Sequence, residues 1–512
     1  MTVVAATAGA LAVVVALLRW LRVCQREHYI AGACVRFAGR WIRVRPINAG
    51  LATVTGAALC VGSWAEIDGR TGMAALSALA VAGSAAVFPW PMRLLGEPRL
   101  RFTRRLTRLS AISVLASVAV AMVGALLVGP RLAVAIASAL VPAVVDMAAA
   151  VAAPIEKRLL LGFRRRAEAR LSEVSPTVIA VTGSWGKTST KQHIRDLLTG
   201  DAALVASPAS YNNAAGLSKT INEHVTGGTE VLVAEMGMYK PGEIRDLCSW
   251  IRPHVAVITA IGPMHLERAG SIERIAAAKA EILERADTAV LWVDDPHLAA
   301  LAESCSVARV RRVGSRGGDG LDVEVEVLGD EIVVSSGGTE LGRCPPTSGL
   351  HPGNVGCAVA AAEACGASPQ RLRARLAMLR GPAHRSEAHT GPEGILVMDD
   401  TFNSNPVGAS AAIEALGRLV EGRRVVVTPG MVELGSEQNR ANTDLGAAVV
   451  TSGATLLVVG WTNRRALLEG AGLAGGDAVT VRDRSEARDW IRNALVRGDG
   501  VLWENDLPDH YP

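Results

Sequence analysis

The sequence predicts an α-helical membrane region followed by two α/β domains, a P-loop-type parallel-sheet ATPase domain and a Rossmann-like C-terminal domain. Three observations predict it: five long apolar runs in the first third, a change in sign of the charge after them, and a strand–glycine loop–helix signature beginning at Val178. The 512 residues are 49% hydrophobic but only 4% aromatic, and are too many for one core. Up to Arg166 there are 20 Lys/Arg against 6 Asp/Glu, a balance of +14; the remainder has 33 against 43, or −10, giving the overall +4. The basic half does not point to nucleic acid, because its arginines flank runs long enough to span a bilayer.

The runs are Val3–Leu21, Ile47–Ala65, Gly72–Leu95, Ser110–Gly129 and Leu132–Ile155, inside a region expected to cover residues 1–158. Each is near the ~20 residues a helix needs to cross ~30 Å of hydrocarbon. No positive residue precedes the first run, so it reads as an anchor with its N-terminus outside rather than a signal peptide. The first connection carries seven arginines from Arg19 to Arg45 and the third carries Arg93, Arg99, Arg101, Arg104, Arg105 and Arg108. The second and fourth hold one each, Arg70 and Arg131, while Lys157, Arg158 and Arg164–Arg166 follow the fifth. This alternation puts the odd connections and the C-terminal part in the cytoplasm.

Within the runs Asp146 is the one acid at depth, which makes it a functional candidate; pairing with a neighbouring helix is the equal alternative. Arg104, Arg105 and Arg108 suit lipid phosphates, or serve only as positive-inside anchors. Pro89, Pro91 and Pro142 are expected to kink or end helices. Eight scattered cysteines without a CxxC pair argue against zinc ribbons and disulfide frameworks.

Val178–Val181 reads as a buried parallel strand, followed by Thr182-Gly183-Ser184-Trp185-Gly186-Lys187-Thr188-Ser189 and a helical pattern from Gln192. A strand, a glycine loop and a helix N-terminus aim backbone N–H groups at an anion. Lys187 adds a charge for β- and γ-phosphates and Thr188 a hydroxyl for Mg²⁺, although the loop is one residue shorter than GxxxxGK[ST]. Val231–Glu235 is a second buried strand whose tip carries an acid, a good Mg²⁺ position beside a phosphate loop. Val255–Ile261 is a third. Asp322–Leu328 and Glu331–Ser335 form a hairpin around Gly329-Asp330. Strands at Ile395–Met398, Arg424–Thr428, Leu456–Val459, Ala478–Val481 and Val501–Trp503 build a dinucleotide-fold-like domain without GxGxxG.

The ordered strings Thr182–Ser189, Tyr211-Asn212-Asn213-x-x-Gly216, Glu235-Met-Gly237, His265-Leu-Glu267 with Gly270-Ser271, and Ala278-Lys279-Ala280-Glu281 resemble the central domain of the Mur ligase family, which builds peptidoglycan peptides. They are most similar to its branch that adds D-alanyl-D-alanine to UDP-N-acetylmuramoyl-tripeptide. Further on, Asp399-Asp400-Thr-Phe-Asn403-Ser-Asn405-Pro406 and Pro429-Gly-Met-Val-Glu433-Leu-Gly435 resemble that branch's C-terminal domain. His351-Pro-Gly-Asn354 departs from the family's His-Asn segment, since Cys357 stands where a second Asn is usual.

The resemblance implies a central ATP-binding domain over 177–382 and a C-terminal domain over 383–512. It implies that Gly183, Ser184, Gly186, Lys187, Thr188 and Ser189 hold ATP, with Asn213 near the γ-phosphate. Thr188, Glu235, His265 and Lys279 would hold Mg²⁺, the last as a carbamylated lysine; Lys187, Lys279 and His265 would be catalytic. Arg385, Asp400 and Asn403 would meet ATP across a closed cleft. The implied enzyme is an ATP-dependent, ADP-forming acid–amino-acid ligase at the bacterial plasma membrane. It would join an amino acid or dipeptide amine to a carboxylate on a lipid-linked acceptor, or on a polymer, because five apolar runs replace the family's UDP-sugar domain. A non-catalytic ATP-binding scaffold or sensor is the alternative, and an ATP-driven transporter a third.

Overall fold

The computed structural model describes residues 2–94, 100–200, 202–329, 331–345, 350–381, 387–391, 393–401 and 404–512. Leu95, Arg99, Asp330 and the expected boundary at 382/383 lie outside these. The chain forms two compact units, residues 1–159 with 507–512, and residues 160–506.

The first unit is helical: α1 (Thr2–Arg26), α2 (Ala33–Val44), α3 (Pro46–Ile67), α4 (Thr71–Val87), α5 (Arg104–Val128), α6 (Pro130–Ala139) and α7 (Val141–Val174), the last continuing beyond the unit. Small residues set its packing. A Cβ on Gly9 would lie 3.0 Å from Val134, and one on Gly62 2.8 Å from Leu132 and Ser77. Trp20, Leu106, Leu109 and Leu132 fill its interior, while other large apolar residues face outward: Leu115 is 70% and Leu126 86% exposed.

Five spans are expected from sequence; by length and composition α1, α3 and α5 are sufficient to cross a membrane, and α6 with α7, bent by 67°, pass the same test as a pair. The short α4, at 17 residues, does not. The break precedes Pro142, which sits in the first turn of α7, where its missing N–H costs no helical bond. The connections segregate to opposite ends. Gln25 donates to Arg101 O at 2.7 Å and Asn48 to Trp90 O at 3.0 Å, joining the first and third. Arg131 pairs with Glu66 at 2.8 Å, joining the fourth and second.

Two sequence candidates have structural duties. Asp146 accepts the N–H groups of Cys34 (3.1 Å) and Val35 (2.9 Å), capping an amphipathic helix, α2, that reading the arginine-rich connection as a loop had hidden. Arg108 forms a two-pronged pair with Glu156 and Arg105 lies 4.1 Å over the Tyr29 ring.

The C-terminal residues, for which the sequence offers no role, complete this helical unit. Trp41 donates its indole N–H to His510 O at 2.9 Å, His510 Nε2 meets Glu27 at 3.1 Å, and Phe37 packs edge-on against Tyr511. Truncation after Asp506 removes the His510 contact of Glu27, which is 7% exposed and keeps Arg36 at 3.9 Å; losing a hydrogen-bond partner of a buried polar group costs about 1–3 kcal/mol. A truncated chain is therefore expected to melt several degrees lower in this unit, followed by calorimetry, with melting of the other unit unchanged.

The second unit holds two sheets. The first contains β1 (Thr177–Thr182), β2 (Leu204–Ala206), β3 (Val231–Glu235), β4 (Val255–Ile258), β5 (Thr288–Trp292), β6 (Arg309–Ser315), β7 (Val323–Leu328), β8 (Glu331–Ser336) and β9 (Thr339–Cys344). Their order is β2-β3-β1-β4-β5-β6-β7-β8-β9, parallel through β7 and antiparallel in the last two pairings. The second contains β10 (Glu387–Thr390), β11 (Leu396–Asp400), β12 (Arg424–Thr428), β13 (Thr455–Val459), β14 (Ala478–Val481) and β15 (Gly500–Glu504), ordered β10-β11-β15-β12-β13-β14. Among the described strands of this sheet only β10 is antiparallel. Strand order reverses beside β1, the switch point at which open α/β sheets bind ligands.

Candidate functional site

The loop after β1 turns sharply because both glycines adopt conformations other residues resist. Gly183 has φ +154° and Gly186 φ +81°. A Cβ on Gly183 would fall 2.0 Å from Thr259 Oγ1, and one on Gly186 2.2 Å from Asn354 Oδ1. The helix α8 (Lys187–Leu198) starts directly behind them, so its free N–H groups face the loop. Lys187 Nζ donates to Gly183 O (2.7 Å), and the buried Lys279 Nζ reaches the same carbonyl at 2.9 Å. Two lysine side chains on one carbonyl, at the start of a helix, are an arrangement ready for an anion. Burial, then the Lys187 charge, holds the Lys279 amine well below the usual lysine range.

At the tip of β3 the buried Glu235 gathers donors. Thr188 Oγ1 donates to its Oε2 at 2.9 Å and Lys191 Nζ to the same oxygen at 3.0 Å; Asn212 Nδ2 reaches Oε1 at 3.1 Å. Among the described residues no three His, Cys, Asp or Glu side chains gather as a metal cage. A carboxylate beside a hydroxyl nevertheless fits Mg²⁺, which commonly takes one or two protein oxygens and completes its shell with water and phosphate.

Other expected residues have different engagements. The Ser184 hydroxyl donates to Gly262 O at 3.0 Å and accepts from Gly262 N at 2.9 Å, so it ties the loop to the segment after β4. Asn213 accepts from Gly216 N at 3.0 Å as a helix cap, and it is Asn212 that touches Glu235. Ser189 is buried within α8. His265, in left-handed backbone (φ +64°), places Nδ1 2.7 Å from Glu433 Oε2. Burial lowers its pKa against the opposing effect of Glu433, and Lys187 and Lys279 lower it further. Asp400 ends β11 opposite Glu504 in register; Arg385 and Asn403 lie outside the described residues. Trp185 of the loop and Met264 pack into the core that carries Met398, Met431 and Leu434, so the two sheets share this cluster beside the loop. A cavity of about 430 Å³, lined by Leu266, Ser271, Met431, Arg440 and Asp444, adjoins it.

Sequence reasoning missed Lys191, Glu433 and Glu504 as site residues. Lys191 follows Lys187 by one helical turn, the i,i+4 spacing that puts both on one face. Glu504, fully buried, accepts from Ser404 and from Thr428 (2.5 Å), and burial pushes its pKa up to about 7. An acid raised in the fold is protonated there while already ionised in the unfolded chain. Stability therefore falls as pH rises from about 4.5 to 7, by about 3 kcal/mol. Glu504→Gln is expected to abolish that fall relative to the parent, measured as the difference in urea unfolding between pH 5 and 8.

The Mur ligase middle-domain profile matches residues 181–343, and the Mur ligase glutamate ligase domain profile residues 384–504. A Mycobacterium leprae UDP-N-acetylmuramoyl-tripeptide–D-alanyl-D-alanine ligase is 32% identical over 371 residues, covering 64% of this chain and 70% of its own. The structure of MurF from Acinetobacter baumannii superposes with TM-score 0.59 at 25% identity, covering 68% of this chain and 77% of its own. MurF ligase from Thermotoga maritima, solved in complex with ADP, gives 0.58 at 25% identity, covering 68% and 80%.

Proposed function

Since the chain belongs to the Mur ligase family of ATP-dependent, ADP-forming amide ligases, we propose that it activates a carboxylate on a membrane-held, lipid-linked cell-wall precursor and joins it to an amino acid or dipeptide amine. The observation that carries this is the convergence of Lys187, Thr188, Glu235 and Lys279 on one phosphate loop. Substrate carboxylate oxygen attacks the γ-phosphorus, ADP leaves, and the acyl phosphate forms; the amine nitrogen then attacks the acyl carbon, expels phosphate and loses a proton. Lys187 and the α8 N-terminus hold the phosphates as charge moves onto the β–γ bridging oxygen. Thr188, Glu235 and His265 are the proposed Mg²⁺ ligands, and the ion when bound neutralises phosphate charge. Lys279, whose amine burial holds well below the usual lysine range, is proposed as a carbamylated ligand for a second ion. Asp400, Arg385 and Asn403 are proposed to meet ATP from the C-terminal half, with water excluded from the acyl phosphate by closure.

The membrane reading rests on long apolar helices that expose large apolar side chains such as Leu115, Leu126 and Leu127 while small residues sit at helix contacts, and on the arginine-rich connections meeting at one end. The described residues between 2 and 174 hold seven helices and no strand, so this stretch is not itself an α/β domain. We assign the chain to the bacterial plasma membrane as a multi-pass protein, N-terminus outside, ligase domains in the cytoplasm. The test is ADP release by full-length protein against a panel of amino acids and dipeptides. The acceptor is offered as a lipid-linked muramyl peptide in liposomes or as its soluble UDP-linked counterpart. Release that needs both amine and lipid-linked acceptor is expected. Equal rates on the soluble acceptor would overturn the lipid assignment. ADP release unaffected by any acid–amine pair would favour a scaffold or sensor.

A further inference from the structure

We infer that Glu433, from the C-terminal half of the ligase unit, is a positioning residue that fixes the tautomer of His265 in the ATP-binding half, so that cation binding and closure of the two halves are coupled. The inference rests on the proposed role of His265 as a metal ligand.

A carboxylate only accepts hydrogen bonds. Its oxygen, 2.7 Å from His265 Nδ1, therefore puts the proton on Nδ1 and leaves the Nε2 lone pair for a cation. Metal-binding histidines are typically oriented in this way by a carboxylate on the other nitrogen. The second Glu433 oxygen takes Arg268 Nη2 at 3.0 Å, which fixes the carboxylate in turn. The Tyr239 ring meets the imidazole edge-on at 5.3 Å and Arg268 stacks over that ring at 4.8 Å, so the histidine is held on more than one side. Both His265 (φ +64°) and Glu433 (φ +65°) sit in left-handed backbone, a conformation kept only where the surroundings impose it.

The contact exists only while the halves meet. Glu433 lies beyond β12 and His265 beyond β4, and Gly435 presses on the backbone of Leu266–Glu267, where a Cβ would come within 3.0 Å. Whatever separates the halves removes the group that orients the histidine. By reciprocity, a cation on Nε2 favours the closed arrangement.

The experiment measures Mn²⁺ binding by electron paramagnetic resonance on full-length, ADP-loaded protein for the parent, Glu433→Gln, Arg268→Met, His265→Ala and the Glu433→Gln/His265→Ala pair. Retained ADP affinity checks that each variant is folded. Glu433→Gln is expected to weaken Mn²⁺ about tenfold, the effect typical of losing such an orienting group. Arg268→Met, which keeps the Glu433–His265 bond, is expected to change it far less, and the double variant to be no worse than His265→Ala alone. Unchanged Mn²⁺ affinity in Glu433→Gln, with a loss in His265→Ala, would overturn the inference and leave His265 a ligand. Equal losses in Glu433→Gln and Arg268→Met, or an additive double variant, would make Glu433 a mere interdomain tie. Unchanged affinity in His265→Ala would instead remove the underlying metal assignment.

Discussion

Lys187→Ala is expected to lower ADP formation by about 10²–10³-fold, the typical effect of losing one preorganised charge-stabilising donor. The ammonium now rests on Gly183 O at 2.7 Å, inside the loop where the β- and γ-phosphates are proposed to lie. Its replacement leaves Lys279 as the remaining lysine on that carbonyl. Because Lys187 supplies part of what depresses the Lys279 amine, its loss raises the Lys279 pKa as well. The same variant is therefore expected to make Lys279 less reactive toward CO₂, read as reduced ¹³C-carbamate signal by NMR. Substantial turnover in this variant would mean that the loop is not the phosphate site.

Gly183→Ala carries the second large effect. Alanine at φ +154° is strained, and its methyl would overlap Thr259 Oγ1, while Trp185 O at 3.0 Å and Ala260 N at 3.2 Å close the other side with backbone that cannot rotate away. Local strain of this kind costs about 1–3 kcal/mol. The larger consequence is geometric: the carbonyl of Gly183 anchors both lysines, so a shift of the loop displaces them together. Expected are at least about tenfold weaker ADP binding by calorimetry, from about 1.4 kcal/mol or more, and a lower melting temperature of the ligase unit. Parent-like affinity and melting would show that the loop adapts freely and that glycine is not required there.

The parts of this molecule that the sequence discloses are those governed by local rules. Four consecutive apolar residues before a glycine loop mark β1, and an acid at the end of an apolar run marks Glu235, because both follow from the placement of ligands at strand tips. The strand β6 escapes because three arginines interrupt it (Arg309, Arg311, Arg312), yet it pairs in parallel with β5; tertiary pairing overrides its polar composition. The edge strand β10 is only four residues long. What the sequence does not disclose depends on partners remote along the chain. Asp146 finds its role 112 residues away at Cys34, His265 meets Glu433 across 168 residues, and the C-terminal residues return to the helical unit. The Asn212–Asn213 pair shows the finer limit: the motif points to the segment, but only the turn geometry decides which asparagine caps the helix and which faces the acid.

The central claim is that this protein phosphorylates a carboxyl group before joining it to an amine, and isotope transfer tests it most directly. Full-length protein in liposomes is supplied with ATP, magnesium, the amine and a lipid-linked acceptor whose carboxylate carries ¹⁸O. Acyl phosphate formation predicts one ¹⁸O in each inorganic phosphate released, and hydroxylamine should capture the acceptor as its hydroxamate when the amine is omitted. Phosphate free of ¹⁸O, accompanied by amide product or by ATP hydrolysis alone, would contradict the account.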